Sequence, residues 1–178
     1  MARYVAFFAS MNVGGNRLKM ADLRDVLERE DFENVETVIA SGNVLFDHDE
    51  RPSDGLAEKL GYVVEEAFGF STFAAVRTAG EVRAAIDGNP FGGVGEDKFV
   101  HTHFLAAQPT PDQFARLIAD HAGRGPEKLA PGERALYVDY VDGTGDSKLT
   151  GAFIERRLGC RGTARNQSSL KRILEKMT

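Results

Sequence analysis

The sequence predicts an α+β protein made of two tandem halves, each with the element order βαββαβ. Three observations carry that expectation. Apolar runs of strand length alternate with segments whose apolar residues recur at helical spacing. Turn and cap signals fall between them at the places this order requires. The order then recurs after a short connecting stretch near residue 90.

The first half opens on the apolar run Tyr4 to Ala9, a buried strand, which leads into Met11-Asn12-Val13-Gly14-Gly15-Asn16, a tight loop. Met20, Leu23, Val26 and Leu27 lie on one helical face, with Asp22 and Asp25 in the first turns where they suit the helix dipole. Asn16 is the candidate cap. Val35 to Ala40 reads as a second strand, Ser41-Gly42-Asn43 as a hairpin turn and Val44 to Phe46 as a third strand. Ser53 is placed to cap a helix whose apolar face is Leu56, Leu60, Val63, Val64 and Ala67, and Gly69 to close it. Ser71 to Arg77 completes the half as a fourth strand. Strand, helix, strand, strand, helix, strand is the ferredoxin-like split βαβ unit, with four antiparallel strands and both helices on one face.

Val82, Ala85 and Ile86 mark a linking helix, ended by Gly88 and followed by the loop around Pro90. The second half starts with a strand at Phe99 to Ala106. Thr110-Pro111-Asp112-Gln113 is a helix start with a threonine cap, proline at the first position and glutamine three after the cap. Phe114, Leu117, Ile118 and Ala122 continue that helix. Pro131-Gly132 reads as the turn of a second hairpin, and Ser147 as the cap of a helix containing Leu149, Phe153, Ile154 and Leu158 and closed by Gly159. A short strand near Gly162 to Arg165 precedes a last helix capped by Asn166. The expected division is residues 1–79, a link at 80–98, and residues 99–178. The repeat is one of element order rather than of matched residues.

Composition bounds the function. With 42% hydrophobic and 28% charged residues the chain is an ordinary globular one. The single cysteine, Cys160, cannot form an internal disulfide, and the first strand is too short for a membrane span and lacks a signal-peptide cleavage pattern. The expectation is a cytoplasmic protein with no membrane association. The net charge of −5 argues against a general nucleic-acid binder. The charge is uneven, because residues 147–178 hold eight basic side chains against two acidic ones, leaving 14 against 25 in the rest. Solvated helix faces account for that asymmetry as well as an anion-binding end does.

Two clusters could hold an anion. In the first half the first two strands run parallel, so the loop with Asn12, Gly14 and Gly15 lies at the same sheet end as Ser41, Gly42 and Asn43. Backbone N–H groups, two amides, a hydroxyl and nearby Lys19 suit a phosphate or carboxylate. The spacings match neither a Walker loop nor a dinucleotide fingerprint, and the same glycines serve turns. In the second half Lys148, Arg165 and Asn166 gather at one sheet end with the start of the last helix, as an anion grip or as a cap with two surface cations. The leading expectation is a protein that binds an anionic small molecule or nucleotide, with the two clusters facing one another. The rival is an RNA-interacting protein using the basic C-terminal segment. An enzyme, a transferase or hydrolase, has least support because no nucleophile and base can be paired. His101 and His103 face one way on a strand, either as a metal pair without a third ligand or on an exposed sheet face. No cofactor or metal is expected.

The residues Asn12-Val13-Gly14-Gly15, Met20, Leu23, Thr37, Ser41-Gly42-Asn43, Phe46, Asn89-Pro90-Phe91, His101 to Leu105, Ser147-Lys148-Leu149-Thr150 and Thr163-Ala164-Arg165-Asn166 together resemble the bacterial proteins grouped as domain of unknown function 1697. The resemblance implies an α+β architecture of ferredoxin-like pieces and no biochemical function. It also implies an Arg-Gly pair where Ala9-Ser10 stand and a tryptophan where Gln167 stands, so this chain lacks that arginine beside the Asn12 loop.

Overall fold

The structure, a computed structural model, describes residues 1–9, 18–39 and 42–178. The elements run β1 (Ala2–Ala9), α1 (Met20–Glu28), β2 (Glu33–Thr37), β3 (Asn43–His48), α2 (Ser53–Phe68), β4 (Phe73–Thr78), α3 (Ala79–Gly88), β5 (Val100–Leu105), α4 (Pro111–His121), β6 (Lys128–Gly132), β7 (Ala135–Asp139), α5 (Gly151–Leu158), β8 (Gly162–Asn166) and α6 (Gln167–Met177). The protein is mixed α+β, with two four-stranded antiparallel sheets of order β2-β3-β1-β4 and β6-β7-β5-β8, and six helices among the described residues. The chain divides into two compact units, one of residues 1–82 with 172–178 and one of residues 83–171. No helix of the described residues is long and apolar enough to cross a membrane.

In the first unit the pleat sorts β1 into two buried rows. Tyr4 pairs with Phe46, and Ala6 with Val44 and Val76, on the side that packs against Leu23 and Leu27 of α1 and Leu56, Leu60 and Val64 of α2. Tyr4 and Phe46 stack at 5.6 Å, and Phe32 meets Phe46 edge-on at 5.0 Å. Val5, Phe7 and Leu45 form the other row and are equally buried. In the second unit Leu105, Leu136, Val138 and Tyr140 face Phe114 and Leu117 of α4 and Ile154 and Leu158 of α5.

The helix ends show which local signals held. Thr110 makes a full capping box with Gln113, and Gly69 and Gly159 close α2 and α5 at φ +76° and +73°. Three expectations are corrected. Ser53 does not cap α2: Pro52 occupies the cap, and its carbonyl accepts from Gly55 and Leu56. Ser147 does not cap α5 either. Thr150 does, accepting from the Phe153 N–H at 3.2 Å, while the Ser147 hydroxyl is drawn away to Glu127. Pro131-Gly132 is not the hairpin turn: both residues lie in β6, and Glu133-Arg134 make the turn with Arg134 at φ +47°. Proline is tolerated there because β6 is an edge strand.

The units also match residue by residue at one place. β4 ends in Arg77-Thr78, and Thr78 caps α3 in a reciprocal pair with Glu81 at 3.0 and 3.1 Å. β8 ends in Arg165-Asn166, and Asn166 caps α6 by accepting from the Ser169 N–H at 2.8 Å. Each arginine donates to the carbonyl just before it, Val76 at 2.8 Å and Ala164 at 2.9 Å. The repeat therefore extends beyond element order.

Candidate functional site

β1 and β2 both run antiparallel to β3, so the end of β1 and the β2–β3 turn share one end of the first sheet. The contact is direct: the Phe8 N–H donates to the Gly42 carbonyl at 2.8 Å, and Phe7 pairs with Asn43. Gly42 takes φ +97°, which favours glycine, and Ile39 takes φ +67°, which a β-branched side chain resists. Such backbone strain concentrates at functional sites. The crossover from β1 to the parallel β2 starts α1 at this same end. Lys19, exposed, stands at the cap of α1 and makes no side-chain cap hydrogen bond. Asn12, Gly14, Gly15 and Ser41, with Asn16 as candidate cap, lie outside the described residues.

The second set is distributed differently. Arg165 pairs across to Thr102, which pairs to Tyr137, so its side chain is in the row opposite α4 and α5. Its guanidinium donates to the Thr163 hydroxyl at 2.8 Å, and burial lowers its pKa to about 10, leaving it charged at neutral pH. Asn166 uses its side-chain oxygen as the α6 cap, and the Ser168 N–H donates to the Asp97 carbonyl at 3.4 Å. Two N–H groups of the first α6 turn are thus engaged within the unit. Lys148 is exposed in the loop leading to α5. Arg165 and Asn166 end β8, and Arg165 is on the face away from α5.

A polar cluster that sequence reasoning missed lies on the helix-facing side of the second sheet. His103 is buried, not on an exposed face, and its Nε2 is 2.9 Å from the Tyr140 hydroxyl. Burial, and then His101, lower the His103 pKa to about 3, so the ring is neutral. Burial, and then Glu127, raise that of Tyr140. His101 meets the Tyr140 ring edge-on at 4.8 Å and donates from Nδ1 to the Phe99 carbonyl at 3.0 Å; burial lowers its pKa. Glu127 accepts from the Ser147 hydroxyl at 2.7 Å, and its other oxygen is 3.7 Å from His121 Nε2. Val141, next to Tyr140, carries φ +61°. The pair His101-x-His103 was the only sequence signal for this cluster, because its partners come from α4 and from the loops before β6 and after β7. Burial raises the pKa of Cys160, opposite to what a poised nucleophile needs.

A family model described as "Protein of unknown function (DUF1697)" matches residues 1–137. The chain belongs to the DUF1697 family. Among solved structures, the conserved bacterial protein SP0830 from Streptococcus pneumoniae is similar, with a TM-score of 0.73, 21% identity, and 99% of this chain and 98% of that chain covered. At that identity the likeness is one of fold. No curated protein matches the chain.

Gln167, where the resemblance implies a tryptophan, lies beyond the residues matched to DUF1697. It is buried at the start of α6 and donates to the Ile86 carbonyl at 3.2 Å, so it serves packing within the second unit. Ala9 ends β1, paired with Phe73. Chemically, the end of the first sheet offers helix N–H groups, a glycine turn and a lysine, which suit an anion.

Proposed function

We propose that this DUF1697 protein binds an anionic small molecule or nucleotide at the end of its first sheet, with Asn12, Gly14, Gly15, Ser41, Gly42 and Asn43 as the contacts and Lys19 as a cation close in sequence. The hydrogen bond from Phe8 to Gly42 is the observation that carries this reading, because it ties the two loop-bearing ends of the strands together. The α1 N-terminus supports it, since the N–H groups of a first helical turn suit an anion and Lys19 at the cap position makes no side-chain cap hydrogen bond. Lys148, Arg165 and Asn166 are a second candidate set in the other unit. Both sheet orders support reading each unit as a ferredoxin-like half. The lone cysteine fits a cytoplasmic location.

A thermal-shift series with inorganic phosphate, pyrophosphate and nucleotides tests the reading. A ligand at about 100 times its Kd adds about 2.7 kcal/mol, a rise of several degrees. The expected result is such a rise with at least one phosphate compound, reduced in Lys19→Ala and retained in Arg165→Ala. A chain indifferent to every phosphate compound contradicts it. Retardation of single-stranded RNA that modest salt abolishes favours the RNA reading instead.

A further inference from the structure

In the second unit, α4 and α5 carry an aromatic ring held between two guanidinium groups. Phe153, half-buried in the first turn of α5, has the Arg157 guanidinium carbon 3.5 Å from its ring centroid and that of Arg124 at 4.3 Å. Both distances put the groups over the ring, and two planar groups this close to one centroid cannot share a face without overlapping. They cover opposite faces. The ring itself is fixed, because the Phe153 N–H donates to the Thr150 hydroxyl at 3.2 Å. Arg124 reaches it because Gly123, at φ +79°, turns the chain after α4, and the Arg124 N–H donates to the His121 carbonyl at 3.0 Å.

The two guanidiniums are used differently. Arg157 donates from Nε to Asp120 at 2.9 Å and from Nη1 to the Phe153 carbonyl at 3.2 Å. Arg124 is exposed, and among the described residues its side chain has the ring contact alone. Stacking engages the flat face of a guanidinium and leaves its in-plane N–H donors, so Arg124 presents a fixed fork with no acceptor in the protein. Arg116, also exposed, stands 3.6 Å from the same Asp120. The cluster thus has three cations and one anion, on a chain of net charge −5.

Such a fork pairs with a carboxylate or a phosphate through two parallel hydrogen bonds. Two features favour a polypeptide bearing carboxylates over a nucleic acid. Single-stranded nucleic acid stacks its bases on aromatic faces, and both faces of Phe153 are taken. Asp120, against Arg116 and Arg157, repels a continuous phosphate backbone, whereas spaced carboxylates can pass it. We propose that this face of the second unit docks an acidic segment of a partner protein, with Arg124 as its anchor and Arg157 beside it. The arginines lie near solvent, so the affinity is modest and falls with salt.

Fluorescence anisotropy of a labelled hexaglutamate peptide on the full chain tests the assignment, beside Arg124→Ala, Arg124→Lys, Arg172→Ala and Lys19→Ala. Arg172 and Lys19 are exposed cations of the first unit, and Lys19 belongs to the anion site proposed there. The expected result is saturable binding, weakened about fivefold or more in Arg124→Ala and also weakened in Arg124→Lys, which keeps the charge without the fork. Arg172→Ala and Lys19→Ala should bind as the unsubstituted chain does. No saturable binding, full affinity in either Arg124 variant, or an equal loss in Arg172→Ala or Lys19→Ala overturns the proposal. A uridine oligonucleotide held through Arg124 more tightly than the peptide also overturns it and assigns the face to nucleic acid.

Discussion

His103 shows how a single side chain sets a condition on the whole fold. Its folded pKa, about 3, lies below the ordinary value of 6.5, so the unfolded chain binds the proton more readily. The stability from keeping this ring neutral is therefore complete above about pH 6.5 and is lost as pH falls from there toward about 3. The slope approaches about 1.4 kcal/mol per pH unit, or about 2 kcal/mol between pH 6.5 and 5. Urea titrations at pH 7 and pH 5 should show that loss, and His103→Asn, less stable at pH 7, should lose about 2 kcal/mol less over the same interval. Equal losses in both proteins would contradict the account. None of this was legible in His101-x-His103 alone. Alternation places the two rings on one face but does not say which face is buried, and the Tyr140 hydroxyl that receives His103 is 37 residues away.

At the scale of elements, the sequence was most informative where a signal is complete within a few residues. Thr110 with Gln113, and the glycines after α2 and α5, needed no distant partner. Removing the Thr110 hydroxyl breaks one half of the capping box, at 3.2 Å to the Gln113 N–H. Thr110→Ala should cost about 1 kcal/mol in chemical denaturation, with an unchanged denaturant slope. A change below about 0.3 kcal/mol would show that the helix is held by packing alone. The signals failed where two candidates competed. Ser147 and Thr150 are both good caps three residues apart, and a carboxylate twenty residues upstream decided between them. Pro131-Gly132 looks like a turn until β6 is known to be an edge. The Thr78–Glu81 box was overlooked because strand β4 runs into α3 without a loop.

Across the whole molecule, element order was legible because two sheets of the same connectivity need the same rhythm of strands, helices and hairpins. The matched ends Arg77-Thr78 and Arg165-Asn166 were not, because threonine and asparagine do the same capping work with different side chains. The meeting of β1 with the β2–β3 turn followed from topology alone, and the Phe8 to Gly42 hydrogen bond is its physical form. The anion-binding account rests on that sheet end. The most direct measurement is an amide NMR titration of the 15N-labelled chain with pyrophosphate. The account predicts saturable shifts, described by one Kd, that are largest at Phe8, Lys19, Gly42 and Asn43. A titration that never saturates, or one whose largest saturable shifts fall only within residues 83–171, would contradict it.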